Sequence, residues 1–239
     1  MKNPTAAMIV IGDEILSGRT RDANMHHLAK ELTLIGIDLA EARMIADIPA
    51  QIVDAVNDLR AKYTYVFTSG GIGPTHDDIT ADCIAEAFGV SIGVREDART
   101  VLATNYPNGE ADLTEARLRM ARIPDGADLI DNPVSKAPGF TIENVHVMAG
   151  IPSVFNAMLE GLLPKLNGGK PVISETVKVT RPESAISKPL GQIAKDFPQL
   201  SIGSYPFYEG QSYGTHVVVR GLETADIAAA MDRIKAEIL

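Results

Sequence analysis

The residues most able to do chemistry lie in one run, Gly70-Gly71-Ile72-Gly73-Pro74-Thr75-His76-Asp77-Asp78-Ile79-Thr80. Three glycines between an expected strand and an expected helix let the backbone approach a ligand closely and point N–H groups at it. Asp77 and Asp78 then fall near a helix N-terminus, where negative charge is favourable. Capping would account for one such residue, not for four polar residues after a triple-glycine turn. The run lacks the Gly-Lys-Ser/Thr ending of a P-loop and the glycine spacing of a dinucleotide fingerprint. A lysine-free loop followed by two Asp points instead to a phosphate-bearing ligand whose charge is offset by a divalent metal, Mg²⁺, Mn²⁺ or Co²⁺, held by hard oxygen ligands. Asp13 and Glu14, after the first expected strand, add two carboxylates, and Asp47 a fifth.

The elements that must position these groups follow from the apolar pattern. Residues 6–11 are apolar without alternation, as a buried strand requires, and run into Gly12-Asp13-Glu14 and Ser17-Gly18. Asp22 is a good N-cap for a helix with Met25, Leu28, Ala29, Leu32 and Ile35 on one face, stopped at Gly36. Pro49 opens a second helix with Ile52, Val53, Val56 and Leu59 facing inward. Residues 63–68 form a second buried strand before the glycine run, and residues 79–88 a helix after it. Residues 145–148 are strand-like, and Pro152 begins another helix. Strands alternating with amphipathic helices predict βαβ units and a mainly parallel α/β sheet, with ligands bound beyond the carboxyl ends of the strands. Both carboxylate-bearing loops fall at those ends.

Asn167-Gly168-Gly169-Lys170-Pro171 reads as a linker, dividing an α/β domain (residues 1–168) from a small α+β lobe (169–239). In the lobe, strands are expected at 175–180, 201–205 and 213–219, and helices at 183–195 and 225–239. The chain has 239 residues, a formal net charge of −9 and a single cysteine, Cys83. That charge argues against non-specific binding to nucleic acid or an anionic membrane. One cysteine excludes an internal disulfide, and its apolar helical neighbours predict a buried thiol. The amino-terminal apolar run is too short for a signal peptide or membrane span, so a cytoplasmic protein is expected. His26 and His27 are adjacent on a helix and cannot form an i, i+4 metal pair. His76, inside the glycine loop, is open between a ligand role and none, and nothing marks His146 or His216. Tyr205, Tyr208 and Tyr213 are expected as a partly buried aromatic set.

Gly12-Asp13-Glu14-Ile15-Leu16-Ser17-Gly18, Asp22-Ala23-Asn24, the whole run from Gly70 to Thr80, Ala137-Pro138-Gly139-Phe140 and Gly150-Ile151-Pro152 together resemble the molybdopterin-binding-like domain of competence/damage-inducible protein A (CinA), across roughly residues 5 to 165. The wider superfamily, MoaB/MogA, includes molybdopterin adenylyltransferases and the domain attached to eukaryotic FAD synthases. Ser201-Ile202-Gly203-Ser204-Tyr205-Pro206 and its surroundings resemble the extension of the FAD-synthase-attached members.

The resemblance implies a three-layer αβα sandwich, a homo-oligomer, and metal-dependent hydrolysis of a nucleoside diphosphate derivative such as ADP-ribose or FAD. The alternative it carries is molybdopterin or nucleotide binding, or adenylyl transfer to the pterin, without hydrolysis. By position it implies catalytic roles for Asp78 and Asp47, beside the metal binding that the clustered carboxylates Asp13, Glu14 and Asp77 themselves suggest. Ligand contacts are implied for Gly12, Ser17, Gly18, Asn24, Gly70, Gly71, Gly73, Pro74, Thr75, Thr80, Lys136, Pro138 and Gly139. Two departures stand out. Val154 occupies a position where the family often has Glu, and Lys136 one where a small residue or Thr is common; Lys136 either meets a phosphate or lies on the surface. No counterpart of the amidase domain of full-length CinA is expected in these 239 residues, nor its nicotinamide-nucleotide deamidation.

Overall fold

In the computed structural model, which describes residues 3–210 and 212–239, the chain divides into two compact units after Gly169. The first contains β1 (Thr5–Ile11), α1 (Asp13–Leu16), α2 (Asn24–Leu34), β2 (Asp38–Ile45), α3 (Pro49–Lys62), β3 (Tyr65–Ser69) and α4 (Thr80–Phe88). It continues with β4 (Ile92–Val94), α5 (Glu96–Ala103), α6 (Glu115–Arg119), β5 (Arg122–Pro124), β6 (Asp128–Ile130), β7 (Gly139–Ile142), β8 (Val145–Met148) and α7 (Pro152–Leu162).

Six strands form one sheet in the order β2-β1-β3-β8-β7-β6. β1 pairs parallel with β2 and β3, and β3 pairs parallel with β8. β7 is antiparallel to both neighbours, so β6 again runs with β8. The chain leaves β1 for β2 on one side and returns past it to β3 on the other, which makes the β1/β3 boundary a topological switch point.

Burial on both faces explains why β1 is apolar without alternation. Ala7, Ile9 and Ile11 pack with Ile52, Val56 and Leu59 of α3 and Cys83 and Ile84 of α4. Ala6, Met8 and Val10 pack with Leu28 and Leu32 of α2 and Phe155, Met158 and Leu159 of α7. This is the three-layer sandwich that the sequence implied. Cys83 is buried, as expected, and burial pushes its thiol up to about 11.

The structure departs from the pattern expected of the sequence at several elements. β2 was not expected, because it is an edge strand whose exposed positions carry Asp38 and its half-buried ones charged partners such as Arg43. The stretch from β4 to β7 is built of strands and helices of three to eight residues, too short for a periodic signal. α2 begins at Asn24, with Asp22 Oδ2 accepting the Met25 N–H at 3.2 Å rather than occupying the N-cap itself.

The second unit contains β9 (Ile173–Val179), α8 (Glu183–Asp196), β10 (Ser201–Glu209), β11 (Ser212–Gly221) and α9 (Thr224–Ile238). Its strands form an antiparallel sheet in the order β10-β11-β9. Val179, Val217 and Val219 pack beneath Ile186 and Ile193 of α8 and Ile227 and Ile234 of α9. Tyr205, Tyr208 and Tyr213 are exposed, at 58%, 84% and 55%, rather than partly buried. The hairpin carries Tyr208 and Tyr213 past the end of the apolar core. Among the described residues, no helix is long and apolar enough to cross a membrane.

One buried histidine gives the sheet an acid sensitivity. His146 in β8 is 5% exposed, its Nδ1 lies 2.9 Å from Thr141 Oγ1, and its ring packs 5.0 Å from that of Phe67. Burial pushes its pKa from 6.5 down to about 4. The folded protein therefore keeps His146 neutral while the unfolded chain takes a proton, and stability falls as pH drops from 6.5 towards 4. The full loss is on the order of 3 kcal/mol. Urea unfolding between these pH values should show that slope in the wild type and a flatter one in His146→Phe; equal slopes would refute it.

Candidate functional site

The parallel strands β1, β3 and β8 end side by side, and the loops that follow them meet at Gly70. A Cβ there would collide with the carbonyl oxygen of Ile11, and one on Gly150 would lie 3.2 Å from Gly70 Cα. Gly70 also adopts φ +108°, which L side chains rarely accept, and its N–H donates to Met148 O at 3.2 Å. Gly71, at φ +69°, is covered by the side chain of Thr80, whose N–H donates to Gly71 O at 2.9 Å. Thr80 is fully buried, so it shapes the loop from beneath.

These turns leave the amide N–H groups of Gly71, Ile72 and Gly73 without a hydrogen-bond partner among the described residues. Successive free amides in a glycine turn make an anion-binding concavity. The loop is closed by Asp78, whose Oδ2 accepts from Thr75 N at 2.8 Å and from Thr75 Oγ1 at 2.6 Å. Gly73 leaves room for that carboxylate, since a Cβ on it would lie 2.6 Å from Asp78 Oδ2.

The loop opens on a cavity of about 570 Å³. Its floor is Gly70 to Pro74, and its charged groups are Glu14 and Asp78. Ile72, Met120, Ile151 and Val154 give it apolar walls. Asn132 and Ser135 border it from the loop after β6. Buried Asn132 organises that loop: its Oδ1 accepts from Val134 N and Ser135 N, both at 3.1 Å, and its Nδ2 donates to Ser135 Oγ and Ala137 O.

Several residues implied by the sequence sit behind this surface. Asn24 is 3% exposed and donates to Ser69 Oγ and Gly150 O, both at 2.7 Å, tying α2 to the ends of β3 and β8. Gly139 starts β7, where a Cβ would collide with Val147 O. Pro138 is buried and borders a narrow cleft next to the glycine loop. Lys136 takes a left-handed conformation (φ +58°) and closes the turn from Asn132 without bordering the cavity. Gly12 donates to Ile45 O at 3.1 Å, while Ser17 and Gly18 are exposed away from the cavity lining. His76 is almost fully exposed.

Asp47 and Asp13 form a second layer of charge. Asp47 Oδ2 accepts the Asp13 N–H at 3.0 Å, which anchors the turn that carries Glu14. Desolvation raises the Asp47 pKa; the Asp13 N–H opposes this, and the negative charges of Asp13, Glu14 and Asp77 raise it further. Among the described residues, no three His, Cys, Asp or Glu side chains are grouped so as to hold a metal ion by themselves. The donor chemistry nevertheless suits a hard cation that brings its own oxygens. Mg²⁺ is commonly held by one or two carboxylates plus substrate phosphates, and Glu14 with the remaining Asp78 oxygen supplies that number.

Residues 7–168 match the family described as probable molybdopterin binding domain. The chain belongs to that family. Residues 171–239 match the FAD synthase middle domain. A protein of Pyrobaculum calidifontis is 33% identical over 212 residues, covering 85% of this chain and 81% of its own. The crystal structure of the protein CinA from Thermoplasma acidophilum, described as of unknown function, superposes with TM-score 0.64 at 32% identity, covering 69% of this chain and 99% of its own. A probable FAD synthase of Caenorhabditis elegans is 30% identical over 256 residues, covering 97% of this chain and 49% of its own. The chain thus spans about half the length of that relative. It is a CinA-like molybdopterin-binding domain followed by a FAD-synthase-like unit.

In this molybdopterin-binding domain, Thr20, Met120, Asn132 and Ser135 border the cavity without having been singled out from sequence. Asn132-Pro133-Val134-Ser135 has the pattern of an Asx turn, a signal that could have marked the loop. Thr20 and Met120 offered none. Val154, 5% exposed, forms part of the cavity's apolar wall.

Two substitutions test these placements. Gly70→Ala meets both a backbone collision and a disfavoured φ, and should cost about 3 kcal/mol in chemical denaturation; a near-neutral result would show that the three strand ends do not meet as described. Asp47→Asn keeps an acceptor for Asp13 N–H and removes a charge that folding disfavours. Because the folded pKa is raised, the variant should have a higher Tm than the wild type at pH 7, with the gain vanishing near pH 3.8 and below. A lower Tm at pH 7 would mean that the carboxylate's own hydrogen bond outweighs the repulsion.

Proposed function

We propose that the molybdopterin-binding domain is a divalent-metal-dependent pyrophosphatase acting on a nucleoside diphosphate derivative of the ADP-ribose or FAD type. The observation that carries this is the set of free Gly71, Ile72 and Gly73 amides beside two carboxylates in one cavity. The volume of about 570 Å³ accommodates a ligand of that size. The amides hold phosphate oxygens and stabilise the charge that develops on them. Ile72, Met120, Ile151 and Val154 pack against an apolar ring, and Asn132 and Ser135 lie where a sugar or ring edge can be read.

Glu14 and Asp78 would hold the metal, which supplies charge neutralisation and Lewis acidity at the diphosphate. Asp47 acts through the Asp13 turn rather than on the ligand. Water adds to one phosphorus, the bridging P–O bond breaks, and the Glu14 oxygen that does not hold the metal accepts the proton of the water. With ADP-ribose the products are AMP and ribose phosphate. The protein is taken as cytoplasmic, and as homo-oligomeric, which its family resemblance supports; sedimentation tests the assembly.

A second reading is binding of a pterin or nucleotide, or adenylyl transfer, without hydrolysis. It is favoured by the double hydrogen bond that commits Asp78 Oδ2 to Thr75, which leaves one oxygen for chemistry.

Purified protein should be supplied with ADP-ribose, FAD and ATP, each with Mg²⁺, Mn²⁺ or Co²⁺. Metal-dependent AMP release is expected to fall at least about 100-fold in Glu14→Gln and in Asp78→Asn, the order lost when a charge-stabilising group is removed. No turnover by folded protein with any metal would sink the pyrophosphatase; retained binding of molybdopterin or nucleotide would then establish the second reading.

A further inference from the structure

We infer that Arg119 is the cation that holds the ligand's diphosphate at the glycine loop. This rests on reading the cavity as a phosphate site, and it answers a difficulty which that reading leaves. The chain is acidic, the loop has no lysine, and the charged groups bordering the main cavity are both carboxylates.

Arg119 ends α6 and borders a narrow cleft that shares Gly71, Ile72, Gly73, Asp78 and Met120 with the main cavity. Its Nη2 donates to the backbone carbonyl of Asp78 at 3.0 Å, from within the motif itself. Its Nε is buried without a hydrogen-bond partner. Its neighbours are committed elsewhere. Arg122 forms a two-pronged pair with Asp82 at 2.7 and 2.6 Å, and Arg117 donates to Asp112 O at 2.6 Å and stacks on Tyr106. Among the described residues, Arg119 forms no salt bridge, and its charge acts only from a distance on Asp77, whose pKa it helps to lower.

A half-buried guanidinium with an unused N–H is costly unless an anion completes it. Its planar fork matches phosphate oxygens better than a point charge does. The guanidinium of Arg119 is held at the carbonyl of Asp78 and shares a cleft with Gly71, Ile72 and Gly73, so a diphosphate held by the loop amides comes within its reach. Met120, the next residue, borders the same cleft and the apolar wall. The ligand class that fits is a diphosphate joined to an apolar ring.

The test is calorimetric binding of inorganic pyrophosphate, ADP-ribose and adenosine to the wild type, Arg119→Gln and Arg119→Lys, at two salt concentrations. Gln keeps an N–H for the Asp78 carbonyl but carries no charge. Arg119→Gln should weaken pyrophosphate and ADP-ribose by about tenfold or more and flatten their salt dependence, with adenosine unchanged. Affinity for all three probes unchanged in Arg119→Gln overturns the role of Arg119 and leaves the nucleotide site standing. Equal weakening of adenosine also overturns it, because Arg119 then only braces the loop. Wild type that binds pyrophosphate but neither ADP-ribose nor adenosine, with the binding lost in Arg119→Gln, supports Arg119 and sinks the nucleotide reading. Binding of no probe by folded wild type sinks both. Should the Gln variant unfold, Arg119→Lys decides: pyrophosphate weakened about three- to tenfold with adenosine unaffected supports the role, and wild-type affinity overturns it.

Discussion

The meeting of three strand ends at Gly70 is the constraint on which the site depends. β1, β3 and β8 are parallel neighbours, so the backbones leaving them must diverge within a residue or two. The carbonyl of Ile11, the Cα of Gly70 and the backbone of Gly150 fill the space where a side chain would stand. That close approach brings Glu14, the glycine loop and the apolar wall from Ile151 to Val154 into one cavity, although they are some 140 residues apart in sequence at the extremes. A bulkier residue at Gly70 would push apart the three loops, not merely one.

The second organising force is like-charge repulsion. Five carboxylates, Asp13, Glu14, Asp47, Asp77 and Asp78, gather at one edge of the sheet in a chain already carrying −9. Folding offsets part of this with local donors: Asp13 N–H for Asp47, and Thr75 N–H and hydroxyl for Asp78. Asp47 nevertheless keeps a raised pKa, chiefly because it is desolvated. Such an arrangement is poorly suited to holding a bare phosphate. On the proposed function it becomes favourable when positive charge enters, from a cation arriving with the ligand and from a guanidinium already placed beside the loop. The free amides then act at short range, where their dipoles are least screened.

The central layers were legible because β1 and β3 are buried on both faces and the helices beside them are long and amphipathic. β2 was not, because an edge strand with Asp38, Glu41 and Arg43 carries no apolar signature. Nor was the stretch from β4 to β7, whose elements are defined by tertiary pairing: β4 finds β5 across about thirty residues, and no window of sequence contains both. In the second unit, all three strands and both helices were visible, since one face of the sheet is covered by α8 and α9 and the other is not. The tyrosines were misjudged because a large aromatic residue in a strand usually faces a core, whereas here the hairpin outruns it.

The site itself was half legible, and the reason lies in what a motif records. Within Gly70 to Thr80, some residues face the cavity and others make the loop possible, and both kinds are equally demanding of residue type. Thr80 must be small to sit beneath Gly71, and Asn24 must be an amide to bridge Ser69 and Gly150. Neither needs to touch a ligand. Spacing alone cannot separate the two roles, because a residue that shapes a loop is as fixed in position as one that uses it. Asn132, Met120 and Arg119 show the converse: they lie outside the glycine run and reach its cavity or cleft only through folding. Asn132 arrives because β6 runs with β8 and ends at the same edge. Met120 and Arg119 arrive because α6 ends against the Asp78 carbonyl. The chemistry of the site is therefore set jointly by a motif that supplies backbone amides and carboxylates and by a distant helix end that supplies the opposite charge.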